Sequence, residues 1–156
     1  MQIKRWRCKE CGRTVSVLPS FLLRYRQYLL RVIEAVLALR FEVLGSWAAI
    51  LASVAGSGYP ALRTLQRWCA AFGEQATRWQ KGVQEWLAQQ DSRSGWLDAQ
   101  GEALQAGSSE QALLAASEHL LAWGKWQWAE MAGYGLEKRL SFLWLWGANQ
   151  GLGRLV

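Results

Sequence analysis

The run IKRWRCKECGRTVSVLP, residues 3–19, carries Cys8 and Cys11 as a C-x-x-C pair. Such a knuckle presents two thiolates to one side of a metal ion, and structural Zn2+ takes four ligands in a tetrahedron. Half a zinc site is therefore written here. Three arrangements account for the other half. A first knuckle can precede Met1 in a longer protein, which the direct entry of MQIKRWRC into a strand favours; zinc can be shared between two chains; or the hairpin can have lost its metal. A redox pair fits less well, because no βαβ pattern surrounds the cysteines. Cys69 lies between Trp68 and Ala70, where a buried thiol suits the pattern better than a ligand. His119, the single histidine, reads as a surface or core residue.

A second constellation lies in PALRTLQRWCAAF, residues 60–72. At helical spacing Leu62, Leu65, Trp68 and Cys69 share an inward face, which leaves Ala61, Arg63, Thr64, Gln66 and Arg67 outward. Arg binds a guanine edge bidentately, Gln an adenine edge, and Thr a phosphate or a thymine methyl. Arg5, Arg7 and Arg13 around the cysteines, with Arg24 and Arg26 after them, are of the kind that neutralises DNA phosphates. Arg31, Arg78 and Lys81 extend the basic set. A third group, Trp123, Trp126 and Trp128, alternates with Lys125 and Gln127. Tryptophans so placed either form a surface for a protein partner or a second copy of the chain, or pack the core of their own short helices.

The elements that must position these groups are short. QIKRWR (2–7) and RTVSVL (13–18) flank the cysteine pair as the strands of a β-hairpin, and Gly12 supplies the turn. From Phe21 the period becomes helical, with Leu30, Ile33, Val36 and Leu37 inward and Arg31 and Glu34 largely outward. Gly45-Ser46 reads as a stop and a cap, and a helix follows over 47–54. AGSGYP (55–60) is a turn, longer than the three or four residues of a tight helix-turn-helix, so that motif and an ordinary helical hairpin both remain open. Pro60 opens a helix to about Phe72, and Gly73 separates it from another over 74–90. Ser108 with Gln111 resembles a capping box for a helix running to about Trp123, and a last helix covers about 136–148.

The expected fold is mainly α: a short N-terminal β-hairpin, half a zinc ribbon, followed by a helical bundle containing a helix-turn-helix. Its parts are the hairpin (1–20), the helix-turn-helix-type domain (21–88), a Gly- and Ser-rich linker (89–109) and a Trp-rich helical C-terminal region (110–156). Charge is unevenly divided among them. Residues 1–81 hold 13 Lys and Arg against 4 acids, and residues 82–156 hold 5 against 8, which places a polyanion surface in the front half. The apolar segment 29–55 is broken by Arg31, Glu34, Arg40 and Glu42, so no membrane span is expected. An odd count of three cysteines without a leader pattern points to a reducing cytoplasm.

RWRCKECGRTVSVLPSFLLRYRQY followed by VIEAVL, with RTLQRW as a further echo, resembles a family of uncharacterised bacterial proteins with a transposase-type zinc ribbon leading into helix-turn-helix helices. These are similar to the N-terminal DNA-binding parts of insertion-sequence transposases, and the resemblance covers about residues 3–72. It implies zinc ligation by Cys8 and Cys11 and binding of double-stranded DNA from a mobile element or regulatory site, in association with the nucleoid. The first cysteine pair of the pattern is absent from this chain.

Transposition by two-metal chemistry needs carboxylates gathered on a sheet. After residue 20 no strand pattern offers one, and Asp91 and Asp98 fall in the linker. Glu102, Glu110, Glu118, Glu130 and Glu137 read as exposed helix positions. No P-loop or nucleophile elbow occurs. The expectation is a DNA-binding protein without catalysis of its own and without a small-molecule substrate. The alternative is a helical protein-interaction module whose basic half is incidental.

Overall fold

The computed structural model describes residues 4–7, 14–17, 30–54, 60–90, 107–153 and 155–156. The cysteine knuckle, the helical residues expected between 21 and 29, the turn 55–59 and the bulk of the linker lie outside the described residues. The chain is mainly helical. Two four-residue strands, β1 (Lys4–Arg7) and β2 (Thr14–Val17), pair antiparallel with Lys4 opposite Val17. The helices are α1 (Leu30–Phe41), α2 (Trp47–Ser53), α3 (Leu62–Gln90), α4 (Ser109–Gln127) and α5 (Arg139–Asn149). Single 3-10 turns, Ala129–Met131 and Leu136–Lys138, join the last two.

In α1 the stripe Leu30, Ile33, Val36 and Leu37 is buried, as a three-to-four spacing requires. Glu34, expected outward, is buried with it at 5% exposure. The reason is tertiary: the arginine that begins α5 packs over this face of α1. The helix ends through a backbone bond from the amide of Gly45 to the carbonyl of Leu39, at 2.9 Å. The left-handed residue of that stop is Leu44, with φ of 57°, rather than Gly45. Gly45 serves a close approach instead, since a Cβ there would stand 3.1 Å from the Leu39 carbonyl oxygen. Ser46 then caps α2, its hydroxyl accepting from the Ala49 amide at 3.3 Å.

The largest departure from expectation is α3. Its helical turns run through Gly73 without a break, so the segments expected as two helices form one of 29 residues. A glycine within a helix costs only about 1 kcal/mol relative to Ala. The buried stripe Leu65, Trp68, Phe72, Ala76, Trp79, Val83 and Leu87 continues across it and outweighs that cost. Gly73 faces Glu110 at the start of α4. Ser108 caps α4 by accepting from the Gln111 amide at 3.3 Å. The Gln111 side chain does not return to the cap; it donates to the Phe41 carbonyl at 2.7 Å and ties α4 to the end of α1.

One core holds the helical region and the Trp-rich region together. It contains Leu37 of α1, Trp79 of α3, Leu120 of α4 and Leu143 of α5. α3 and α4 pack along each other, α5 closes over α4, and α2 rests on α1.

Candidate nucleic-acid interface

The first half of α3 is held by its inward face and leaves its other face open. Leu65, Trp68, Cys69 and Phe72 are buried, while Arg63, Gln66 and Arg67 are exposed and Thr64 is half-buried. Leu62, expected in the core, is 37% exposed because it opens the helix. A side chain on a helix whose opposite face is locked in a core can contact a partner without ordering its backbone, so less entropy is lost on binding. Arg5 and Arg7 belong to β1. Arg13, Arg24, Arg26, Cys8 and Cys11 lie outside the described residues.

Burial pushes the Cys69 thiol up to about 11, with the nearby Arg40 guanidinium pulling it back and Glu110 adding to the rise. Such a thiol resists becoming the thiolate that a metal needs. Among the described residues no group of three or more His, Cys, Asp or Glu side chains is placed to hold a metal ion.

The tryptophans separate into two sets. Trp123 is buried, so it belongs to the core rather than to a partner surface. It stands edge-on to Trp86 at 4.5 Å between ring centroids and to Trp128 at 5.2 Å. Trp86 in turn meets Trp146 edge-on at 5.8 Å, which joins α3, α4 and α5 by edge-to-face indoles. Trp126 and Trp128 reach solvent, at 70% and 45% exposure. The linear sequence could not separate them, because alternation in WGKWQW conceals the turn of α4 that points Trp123 inward.

A charged site escaped the sequence pattern altogether. Arg139, only 4% exposed, sits where α1, α4 and α5 meet. It donates from Nη1 and Nη2 to the two carboxylate oxygens of Glu42, at 2.7 and 2.9 Å, and from Nη1 to Glu118. Its Nε lies 3.4 Å from Oε1 of Glu34. The Leu140 amide donates to the same Glu34 oxygen at 3.3 Å, and Glu34 Oε2 has no hydrogen-bond partner among the described residues.

Burial pushes the Glu34 carboxyl up to about 7, against the opposing pulls of the Leu140 amide and the Arg139 guanidinium. Burial also works against the Arg139 charge, but the hydrogen bond to Glu42 and the charges of Glu42, Glu118 and Glu34 outweigh it, and its pKa is raised. A cleft of about 310 Å3 opens beside this cluster, lined by Arg31, Glu34, Glu118 and Glu137 among others. Glu118, half-buried and bonded to Arg139, is therefore not simply a solvated helix position, whereas Glu137 is exposed as expected. The carboxylates converge on a guanidinium that already supplies the cation, which is the arrangement of a structural clamp. The one sequence signal for it is the surroundings of Glu34, a lone acid inside the apolar run of α1.

Residues 1–68 match a family described as a domain of unknown function (DUF6431), a span that ends within the first turns of α3 and includes Arg63 and Arg67. No curated protein and no solved structure matches the chain.

Proposed function

We propose that this chain is a DNA-binding protein associated with a mobile element, an accessory or regulatory module that performs no catalysis itself. The observation that carries the reading is the open face of α3, where Arg63, Gln66 and Arg67 stand exposed opposite the buried Leu65, Trp68 and Phe72. The hairpin adds Arg5, Arg7 and Arg13, and Arg24 and Arg26 follow it, all within the basic front half. Cys8 and Cys11 hold zinc in this reading once a second thiolate pair is supplied, and residues 1–20 are then half of a zinc ribbon. No helix among the described residues is long and apolar enough to cross a membrane. The protein would work in the cytoplasm, at the nucleoid.

The test is the salt dependence of affinity for a random-sequence DNA duplex, read by fluorescence anisotropy. Each lost phosphate contact lowers the slope of log K against log salt by about 0.9. Arg63→Ala with Arg67→Ala is expected to lower that slope by about 2. An unchanged slope would overturn the reading. Zinc per chain, with Cys8→Ser as control, tests the metal separately.

A second reading rests on Trp126, whose indole is 70% exposed. Here the chain is an interaction module, and Trp126 and Trp128 anchor a protein partner or a second copy. Oligomers that survive high salt and are lost on Trp126→Ala would favour it.

A further inference from the structure

Because α3 passes through Gly73 unbroken, its exposed face does not end with Arg67. Arg63, Gln66, Arg67, Ala70, Glu74, Thr77, Arg78 and Lys81 are all exposed, and at 100° per residue they fall within one stripe. The stripe carries two basic pairs, Arg63 with Arg67 and Arg78 with Lys81, with Glu74 between them. One turn further on, the exposed Glu85 lies on the same stripe with its carboxylate 3.7 Å from Lys81 Nζ. At about 1.5 Å per residue the centres of the two pairs are about 22 Å apart along the helix axis. The major groove of B-DNA is about 12 Å wide, so a helix centred across it would carry each basic pair about 5 Å beyond a groove edge, over the bordering phosphates.

We propose that α3 lies across the major groove of double-stranded DNA, with Arg63 and Arg67 over the phosphates of one strand, Arg78 and Lys81 over those of the other, and Glu74 above the base edges. This deepens the DNA-binding reading and rests on it. Charge complementarity argues for the arrangement. Both basic pairs match phosphate, and Glu74 falls between them, where the phosphates are furthest away. The Lys81–Glu85 pair is solvent-exposed and worth little, so Lys81 exchanges that carboxylate for a phosphate. Over the groove floor a carboxylate accepts from the N4 amino group of cytosine, whereas above a phosphate it would be repelled. Duplex RNA fits poorly, since its major groove is deep and too narrow for side chains to read.

The footprint also differs from that of a recognition helix that enters the groove by its N-terminal turn. In that mode only Arg63, Thr64, Gln66 and Arg67 would touch DNA, and the second pair would hang in solvent.

The deciding experiment compares salt slopes for a random-sequence DNA duplex among the wild type, Arg63→Ala/Arg67→Ala, Arg78→Ala/Lys81→Ala and Glu74→Gln. All of these positions are exposed, and circular dichroism confirms that each variant is folded. Arg63→Gln/Arg67→Gln or Arg78→Gln/Lys81→Gln replaces the corresponding Ala pair where that one is not. The second basic pair is expected to carry as much of the slope as the first, about 2. Glu74→Gln is expected to raise affinity several-fold at low salt, an effect opposite in sign to the other two.

If Arg63→Ala/Arg67→Ala lowers the slope while neither Arg78→Ala/Lys81→Ala nor Glu74→Gln changes binding, the crossing is overturned and the DNA-binding reading stands. If no variant changes binding, both fail. Tighter binding of duplex RNA than of DNA would also overturn the crossing.

Discussion

Arg139 Nε stands 3.4 Å from Glu34 Oε1, yet the guanidinium directs its hydrogen bonds to Glu42 and Glu118. Glu34 is the buried member of the cluster and the one held least well. Its pKa rises from 4.5 to about 7 on folding, so the native state binds this proton more tightly than the unfolded chain does. The stability it contributes is complete below pH 4.5 and is lost as pH rises through 7. A displacement of that size corresponds to roughly 3 kcal/mol between the two limits. Urea titrations from pH 5 to 8 should show the wild type losing stability relative to Glu34→Gln, whose neutral amide does not titrate. Parallel profiles would mean that Glu34 is ionised in the native state throughout.

Arg139 itself should be costly to remove. Truncation leaves Glu34, Glu42 and Glu118 facing one another without a cation, and breaking a buried pair in this way costs about 3–5 kcal/mol. Arg139→Ala is therefore expected to lower the urea midpoint sharply. The double variant Arg139→Ala/Glu34→Gln should recover part of that loss at pH 8 and little at pH 5, where Glu34 is already neutral. Recovery that is equal at both pH values would place the repulsion elsewhere in the cluster.

What the linear chain disclosed and what it hid follow the range of the interactions involved. Ser46 and Ser108 were legible as caps because a cap is a contact with an amide three residues ahead. The inward face of α3 at Leu65, Trp68 and Cys69 was legible because helical period depends on neighbours alone. Glu34 was not, since its burial depends on Arg139 and Leu140, about a hundred positions later, and α1 treated alone puts an acid in water. Gly73 misled for a related reason. Glycine is a local stop signal, and the continuous apolar stripe on either side of it prevailed only through packing against α4. The open face of α3 was half legible: its residue types were visible, but its length depended on that same glycine.

Gly147 fixes how α5 docks. A Cβ at this position would stand far inside contact distance of Cζ3 and Cη2 of Trp79, and Trp79 is fully buried. Gly147→Ala should destabilise by about 1–3 kcal/mol, as overpacking of a close-packed core does. Gly133→Ala serves as the control, because a Cβ there meets nothing within 4 Å. Surface changes of that sort stay within about 0.5 kcal/mol. Equal midpoints for the two variants would show that α5 is not seated on Trp79.

Gly73→Ala tests the continuity of α3 directly. If Gly73 ended one helix in the left-handed conformation, a methyl group there would be strained and the variant would lose stability. In the unbroken helix the sign reverses, because Ala in a helix interior is favoured over Gly by about 1 kcal/mol. The new Cβ would stand 2.7 Å from Oε1 of Glu110, which must give way. That oxygen is the far end of a flexible side chain, and its neighbour Oε2 accepts only a 3.2 Å bond from Ser109, so the movement costs little. The expected outcome is a gain of up to about 1 kcal/mol in urea unfolding with unchanged or increased helicity by circular dichroism. A loss of stability would restore two separate helices, and with them a basic face that stops at Arg67.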